Sequence, residues 1–249
     1  MIAAESDAEY LALCDQDDVW LPTKLATAVD ALGHFANVPA LYCGRMTITN
    51  ALLRPVGETR VPTRPLGVAN ALVENVAMGP TIVINREARA LVRQVQPSGV
   101  VMHDAWLYLV VVALGVVIYD PQPYVLYRRH EGNVSATAAN MKSRSKHLVK
   151  AWRQFLPERR RQAAELLDLY EAKLRSRDRA LIERFVRRDA NIIAASRLPV
   201  YRQNAADQLA LRGILIGDAF SEAVACAWKW SGMPRSHAVD GSPPREATK

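Results

Sequence analysis

The stretch Tyr10-Leu11-Ala12-Leu13-Cys14-Asp15-Gln16-Asp17-Asp18-Val19-Trp20 decides how this chain reads. Its apolar run from Tyr10 to Cys14 predicts a strand, unbroken as in a parallel sheet covered on both faces. Three carboxylates in four positions follow at once. In an extended backbone residues i and i+2 share a face, so Asp15 and Asp17 are expected to project together from the strand's carboxyl end, where open α/β sheets hold their ligands. Two hard oxygen donors side by side suit a divalent cation, Mg²⁺ or Mn²⁺, completed by water and the phosphates of a nucleotide diphosphate. A plainer reading competes: Asp-Gln-Asp-Asp turns the chain, and Asp18 or Thr23 caps the helix that follows.

Downstream, Leu25, Ala28, Val29, Leu32 and Phe35 recur at helical spacing after Pro22, predicting a helix that packs on the sheet and stops near Gly33-His34. Ala40–Cys43 and Met46–Thr49 read as extended segments, and a Pro-rich loop runs from Glu58 to Gly67. A short helix is expected over Val68–Val76. Met78-Gly79-Pro80-Thr81 then turns into a strand reaching Asn85, and Arg86–Val95 returns as a helix. Gly79 is either a turn glycine or a point where the backbone must come close to a ligand. Asp104 stands where a helix to Leu114 begins, so its plain role is an N-cap. A carboxylate near a helix N-terminus also stays ionised and ready to accept a proton. Gly115 divides this helix from two β-rich segments, Val116–Tyr119 and Tyr124–Tyr127, which end in Arg128-Arg129-His130. Guanidinium matches diphosphate oxygens bidentately, and imidazole is an acceptable ligand for Mn²⁺. A lone His is more often structural.

Bulk properties set the frame. The chain has 249 residues, half of them hydrophobic, enough for one buried core plus an appendage. Its net charge of +7 is uneven: 17 Lys/Arg against 7 Asp/Glu between Lys142 and Arg202 give a local +10, leaving about −3 elsewhere. The three cysteines, Cys14, Cys43 and Cys226, form no Cys-x-x-Cys pair, which argues against a disulfide framework or structural zinc and fits a reducing cytosol. The start lacks the pattern of a signal peptide, and the most apolar stretch, Trp106–Tyr119, is too short for a membrane span. Beyond Ala136 helix formers and arginine dominate. Apolar stripes at Leu148, Val149, Trp152, Phe155 and Leu156, at Leu166, Leu167, Tyr170 and Leu174, and at Leu181, Ile182, Phe185 and Val186 predict helices separated at Pro157 and Ser176. Their basic faces are expected in solvent, with Arg159-Arg160-Arg161 offering contact to anionic lipid headgroups or a lipid diphosphate. Nucleic acid is not expected, because no aromatic stacking pattern accompanies the charge. A last helix is expected over Gly213–Trp230, then a disordered tail over 231–249.

Four segments, taken in order, carry a resemblance. The wording Tyr-Leu-Ala-Leu-Cys-Asp-Gln-Asp-Asp-Val-Trp-Leu-Pro-Thr-Lys-Leu, then Gly79-Pro80-Thr81-Ile82-Val83-Ile84-Asn85-Arg86, then His103-Asp104-Ala105-Trp106, then Tyr127-Arg128-Arg129-His130, resembles family 2 glycosyltransferases, in particular the bacterial rhamnosyltransferase-like branch. The likeness covers roughly Tyr10 to Ser135. It implies a truncated GT-A fold, that is an α/β mixed sheet flanked by helices over 1–140, followed by a basic C-terminal helical region over 141–230. It further implies metal ligation by Asp15, Asp17 and His130, donor contacts from Asp18, Gly79, Arg128 and Arg129, and Asp104 as the base of an inverting transfer. His103 stands where most of the family has Glu. The implied donor is dTDP-rhamnose or a similar nucleotide sugar, and the implied acceptor a cell-envelope polysaccharide or lipid-linked chain. The expected setting is the cytoplasm, with peripheral contact at the inner face of the plasma membrane. Family members place βα units that hold the nucleotide base before the acidic strand. A βαβ unit takes roughly 30 residues, whereas fourteen precede Asp15 here. The acidic strand is therefore expected at a sheet edge. The alternative is a non-catalytic remnant that binds a membrane or a partner complex.

Overall fold

The computed structural model describes residues 7–93, 102–129, 144–187 and 191–230, with side chains described from 155 in the third stretch and up to 224 in the last. Its centre is a mixed sheet built from β1 (Tyr10–Ala12), β2 (Val19–Trp20), β3 (Ala40–Thr49), β4 (Pro55–Glu58), β5 (Val83–Asn85) and β6 (Val116–Arg128). The order is β1-β5-β3-β6-β2, with β4 laid on β3 as an extra flap. β3 and β6 run parallel from Ala40 opposite Val116 to Thr49 opposite Arg128, and every other pairing is antiparallel.

Two extended segments expected on each side of an interruption turn out to be single strands. β3 runs unbroken through Gly44 and Arg45, and β6 passes through Asp120-Pro121-Gln122-Pro123; the register shifts between Gly44, Arg45 and Thr47 absorb the prolines as bulges. The acidic strand is corrected in a different way. β1 is not in a parallel neighbourhood; it pairs antiparallel with β5 at the edge of the sheet, and its residues are only half-buried. The expected edge position is met. Both of its faces are nevertheless covered. Tyr10 and Ala12 pack with Ala28, Leu32 and Val83 under α1 (Lys24–Gly33), while Leu11 and Leu13 join the main core on the other side. That alternation explains the unbroken apolar run.

Two residues lock the frame. Gly115 ends α4 (His103–Leu114) and hands the chain to β6, and a Cβ at this position would collide with the Pro39 carbonyl, to which Val116 N–H donates at 2.8 Å. Asn85 saturates its whole side chain: Oδ1 accepts from the Ala40 and Ala88 amides, and Nδ2 donates to the Phe35 and Val38 carbonyls. It thereby joins the turn after α1, the start of β3 and the first turn of α3 (Arg86–Arg93).

The helices after residue 143 share the sheet's core. One apolar cluster runs from Leu41, Cys43 and Ile84 through Leu107 and Val111 of α4 into α5 (Arg144–Tyr170), α6 (Ser176–Val186) and α8 (Ala205–Trp230), the last preceded by the short α7 (Ile192–Ser196). Pro157 lies inside α5 and does not end it, a correction to the expected break. Packing of Leu156, Ala163 and Leu166 on both sides of it outweighs one missing backbone hydrogen bond. α8 begins eight residues before the expected Gly213. α2 (Val68–Ala71) is shorter than the helix expected to reach Val76. Among the described residues no helix is long and apolar enough to cross a membrane. The tail over 231–249 lies outside the described residues.

Candidate active site

The acidic turn follows β1 directly, but Asp15 and Asp17 are not brought together by strand pleating as expected. The backbone leaves the sheet after Leu13, whose N–H donates to Ile82 O at 3.1 Å, and turns at Gln16-Asp17 before entering β2. Proximity comes from the turn. Arg128 at the end of β6 pins it: its backbone N–H donates to Asp18 Oδ1 at 3.0 Å and its Nε–H to the Asp17 carbonyl at 3.0 Å. Arg128 is thus committed first to shaping the turn. Arg129 continues the strand, its N–H donating to Thr49 O at 2.9 Å.

Electrostatics report how close the acids stand. Partial desolvation and then the neighbouring Asp17 raise the pKa of Asp15, Asp104 adds to the rise, and His103 opposes it. Burial pushes Asp18 up to about 6, against the Arg128 N–H bond and with help from Asp17 and Asp15; its Oδ2 is buried without a hydrogen-bond partner. Residues at the start of the chain and residues 103–104 therefore feel one another's charge across a common space.

The other wall of that space is the first turn of α4. Met102, not Asp104, occupies the N-cap position and offers no side-chain cap, so the capping role expected of Asp104 is not the one observed. Asp104 sits one residue inside the helix and is buried. Its Oδ1 accepts the Ala105 N–H at 2.7 Å, and its Oδ2 accepts Asn75 Nδ2–H at 2.9 Å. Each oxygen keeps a second lone-pair site for a further donor. Gly79 opens a short 3₁₀ turn (Gly79–Thr81) beside it: a Cβ on Gly79 would come within 3.9 Å of both Asp104 Cβ and His103 Nε2. The glycine keeps that space open and is not demanded by an unusual backbone angle.

Asn75 is the residue sequence reasoning missed. It lies between α2 and the 3₁₀ turn and obeys no periodicity that would flag it. Its neighbour Glu74 is held from the C-terminal half: Glu74 Oε2 accepts Gln203 N–H at 2.7 Å and Asn70 Nδ2–H at 2.8 Å, and Arg202 Nη2 stands 3.4 Å from Oε1. Asn70 Oδ1 in turn accepts the Tyr108 hydroxyl of α4 at 2.9 Å. The Pro-rich loop docks on the same segment, with Tyr201 Oη donating to Pro65 O at 2.6 Å and Arg64 stacked over the Tyr201 ring. The helical half thus helps fix the geometry behind Asp104.

Arg159 corrects a second expectation. It does not face solvent or lipid; it is buried on α5, over the Phe155 ring, and donates to Gln162 Oε1 at 3.3 Å. Burial brings its guanidinium down to about 10, a fall opposed first by the charge of Asp104. A signal was present: Leu156, Arg159, Ala163, Leu166 and Tyr170 repeat at helical spacing. Arg160 is half-buried, ion-paired with Asp218 and donating to the Phe185 carbonyl at 3.0 Å, and only Arg161 of the three is exposed.

For a divalent cation the donor chemistry of Asp15 and Asp17 fits, being two carboxylates on one turn. Among the described residues no group of three or more His, Cys, Asp and Glu side chains stands close enough to hold a metal ion, and His130, the expected third ligand, lies outside the described residues. No protein-family model matches the chain, and no curated protein matches it either.

Proposed function

We propose that this chain is the catalytic part of a metal-dependent, inverting glycosyltransferase acting on a nucleotide sugar such as dTDP-rhamnose. The observation that carries the reading is that Asp15 of the acidic turn lies within electrostatic reach of His103 and Asp104, which Gly79 adjoins, from three stretches far apart in sequence. A cation on Asp15 and Asp17 would supply charge neutralisation for the leaving nucleoside diphosphate. Asp104 would take the proton of an acceptor hydroxyl as its oxygen attacks the anomeric carbon. Ala105 N–H and Asn75 hold one oxygen each of that carboxylate, which fixes its plane without filling its lone pairs. Arg128 holds the turn that carries the two outer acids. The acceptor in this reading is a cell-envelope polysaccharide or lipid-linked chain.

The test is nucleoside diphosphate release from dTDP-rhamnose with Mn²⁺, with and without chelator, by the whole chain and by Asp17→Ala and Asp104→Asn. Chelator-sensitive release that falls at least a hundredfold in both variants is expected. Equal release by all three proteins would discard the transferase reading in favour of a non-catalytic binding protein.

A further inference from the structure

The helices after residue 143 enclose a cavity of their own. It lies where α5, α6, α7 and α8 meet and takes in about 450 Å³, its open mouth included. Arg160 of α5, Arg184 of α6, Arg187 just beyond α6 and Asp218 of α8 line it, over an apolar floor that includes Leu198 and Leu215. Three guanidinium groups against one carboxylate leave a net charge of +2. Arg160 is the fixed member. Its side chain is 12% exposed, its Nε–H donates to Phe185 O at 3.0 Å, and its Nη1 is ion-paired with Asp218. Nη2 makes no hydrogen bond among the described residues, so the group is held in place with donors to spare.

The other two cations have nothing to pair with. Arg184 and Arg187 stand three residues apart at the end of α6, a spacing that sets side chains next to each other. Among the described residues neither side chain has an ion-pair or hydrogen-bond partner, whereas Arg179 of the same helix is paired with both Glu171 and Glu183. Cations at a helix C-terminus ordinarily complement its dipole. Here Arg160 already serves that end through the Phe185 carbonyl, and Arg187 N–H closes on Glu183 O at 3.0 Å. Two like charges remain side by side at the cavity. A phosphomonoester answers them: it carries about −1.5 to −2 at neutral pH and three acceptor oxygens, and guanidinium forks meet phosphate oxygens bidentately. Leu198 and Leu215 belong to the main core, so the floor is firm and accepts the apolar body of such an ester.

We propose that the cavity between α5, α6 and α8 binds a phosphomonoester group, whose oxygens Arg184 and Arg187 grip while Arg160 anchors the wall beside them. The site uses none of the residues around Asp104 and does not rest on the transferase reading.

It is tested by calorimetric titration of the full chain with phenyl phosphate and with benzoate, a singly charged control of similar body, in chelator so that no divalent cation takes part. One site for phenyl phosphate in the millimolar range or tighter is expected, weakening with salt, with benzoate at least tenfold weaker. Arg184→Gln/Arg187→Gln is expected to lower the affinity at least tenfold. Its melt without ligand should be unchanged, since both residues are exposed. Co-sedimentation with phosphatidic acid vesicles tells the source of the group. Binding of phenyl phosphate assigns a soluble ester; vesicle binding that is lost in Arg184→Gln/Arg187→Gln, without binding of phenyl phosphate, assigns a lipid headgroup. Phenyl phosphate binding unchanged in Arg184→Gln/Arg187→Gln overturns the proposal, as do equal affinity for benzoate and the lack of response to either phosphate probe.

Discussion

The acidic turn and the arginine-bearing helices put their buried polar side chains to different uses. Around the turn Asp18 Oδ2, Trp20 Nε1, Lys24 Nζ and, behind Asp104, Asn75 Oδ1 are buried without a hydrogen-bond partner, as are Arg89 Nη1 on α3 and Gln162 Nε2 on α5. In the helical half Arg212 closes three carbonyls, those of Ser196, Leu198 and Val200, and Arg160 serves Phe185 O and Asp218. Buried polar groups that serve only architecture are normally satisfied. Around the turn the buried polar atoms lie next to carboxylates, whereas Arg160 and Arg212 tie helices and their connecting segment together.

Replacement of Arg212 by Met should expose the difference most strongly. Three carbonyls on the link between α7 and α8 lose their donor, and the expected loss is about 3 kcal/mol, or roughly 10 °C in melting temperature by calorimetry. A stable Arg212→Met protein would erase the contrast. Asn75→Leu should do the reverse. Its Oδ1 already lacks a partner, so the melt should hold, while donor turnover falls about tenfold to a hundredfold because the Asp104 carboxylate loses the Nδ2–H that fixes its plane. Gly79→Ala sharpens the same point. The new methyl fits at ordinary contact distance, so the fold should survive with a melt unchanged within about 2 °C, whereas turnover falls because the methyl occupies the space beside Asp104 and His103.

The smallest effect concerns Lys24. Its ammonium is buried, has no hydrogen-bond partner, and lies 3.6 Å over the Trp20 ring. Burial lowers its pKa from the ordinary 10.5 to about 8, with Cys14 opposing. The unfolded chain therefore holds this proton over a pH range in which the folded chain has released it, and folding stability rises with pH between about 8 and 10.5. Lys24→Met removes that slope. At pH 7 it should be more stable by about 1 kcal/mol, after loss of the cation–π contact, and chemical denaturation at pH 10 should show the gap closing.

Much of this was legible beforehand, for physical reasons that differ by element. Gly115 marked the end of α4 because a backbone approach of that kind leaves no alternative residue. The periodicity of α1 gave its stop at Gly33, although Leu25 and Val29 prove to be exposed and the buried side is Lys24, Ala28 and Leu32. The apolar run at Tyr10 told correctly that both faces are covered but not which way the neighbouring strand runs, since side-chain alternation is identical in the two cases. Local wording singled out Asp104 and Gly79, which the fold makes neighbours. Asn75 was not, because its place beside Asp104 is set by Glu74 and the segment from Tyr201 to Gln203, contacts well over a hundred residues apart in the chain. Arg159 was visible in the helical period, but charge outweighed position in the reading.

One amide sets a rule for remodelling this molecule. Because Asn85 binds four main-chain groups from three separate segments, the bend between α1 and β3 cannot be lengthened by even one residue without parting two of them, and an aspartate there would confront the Phe35 and Val38 carbonyls with a third oxygen. Insertions, tags or grafted peptides belong elsewhere.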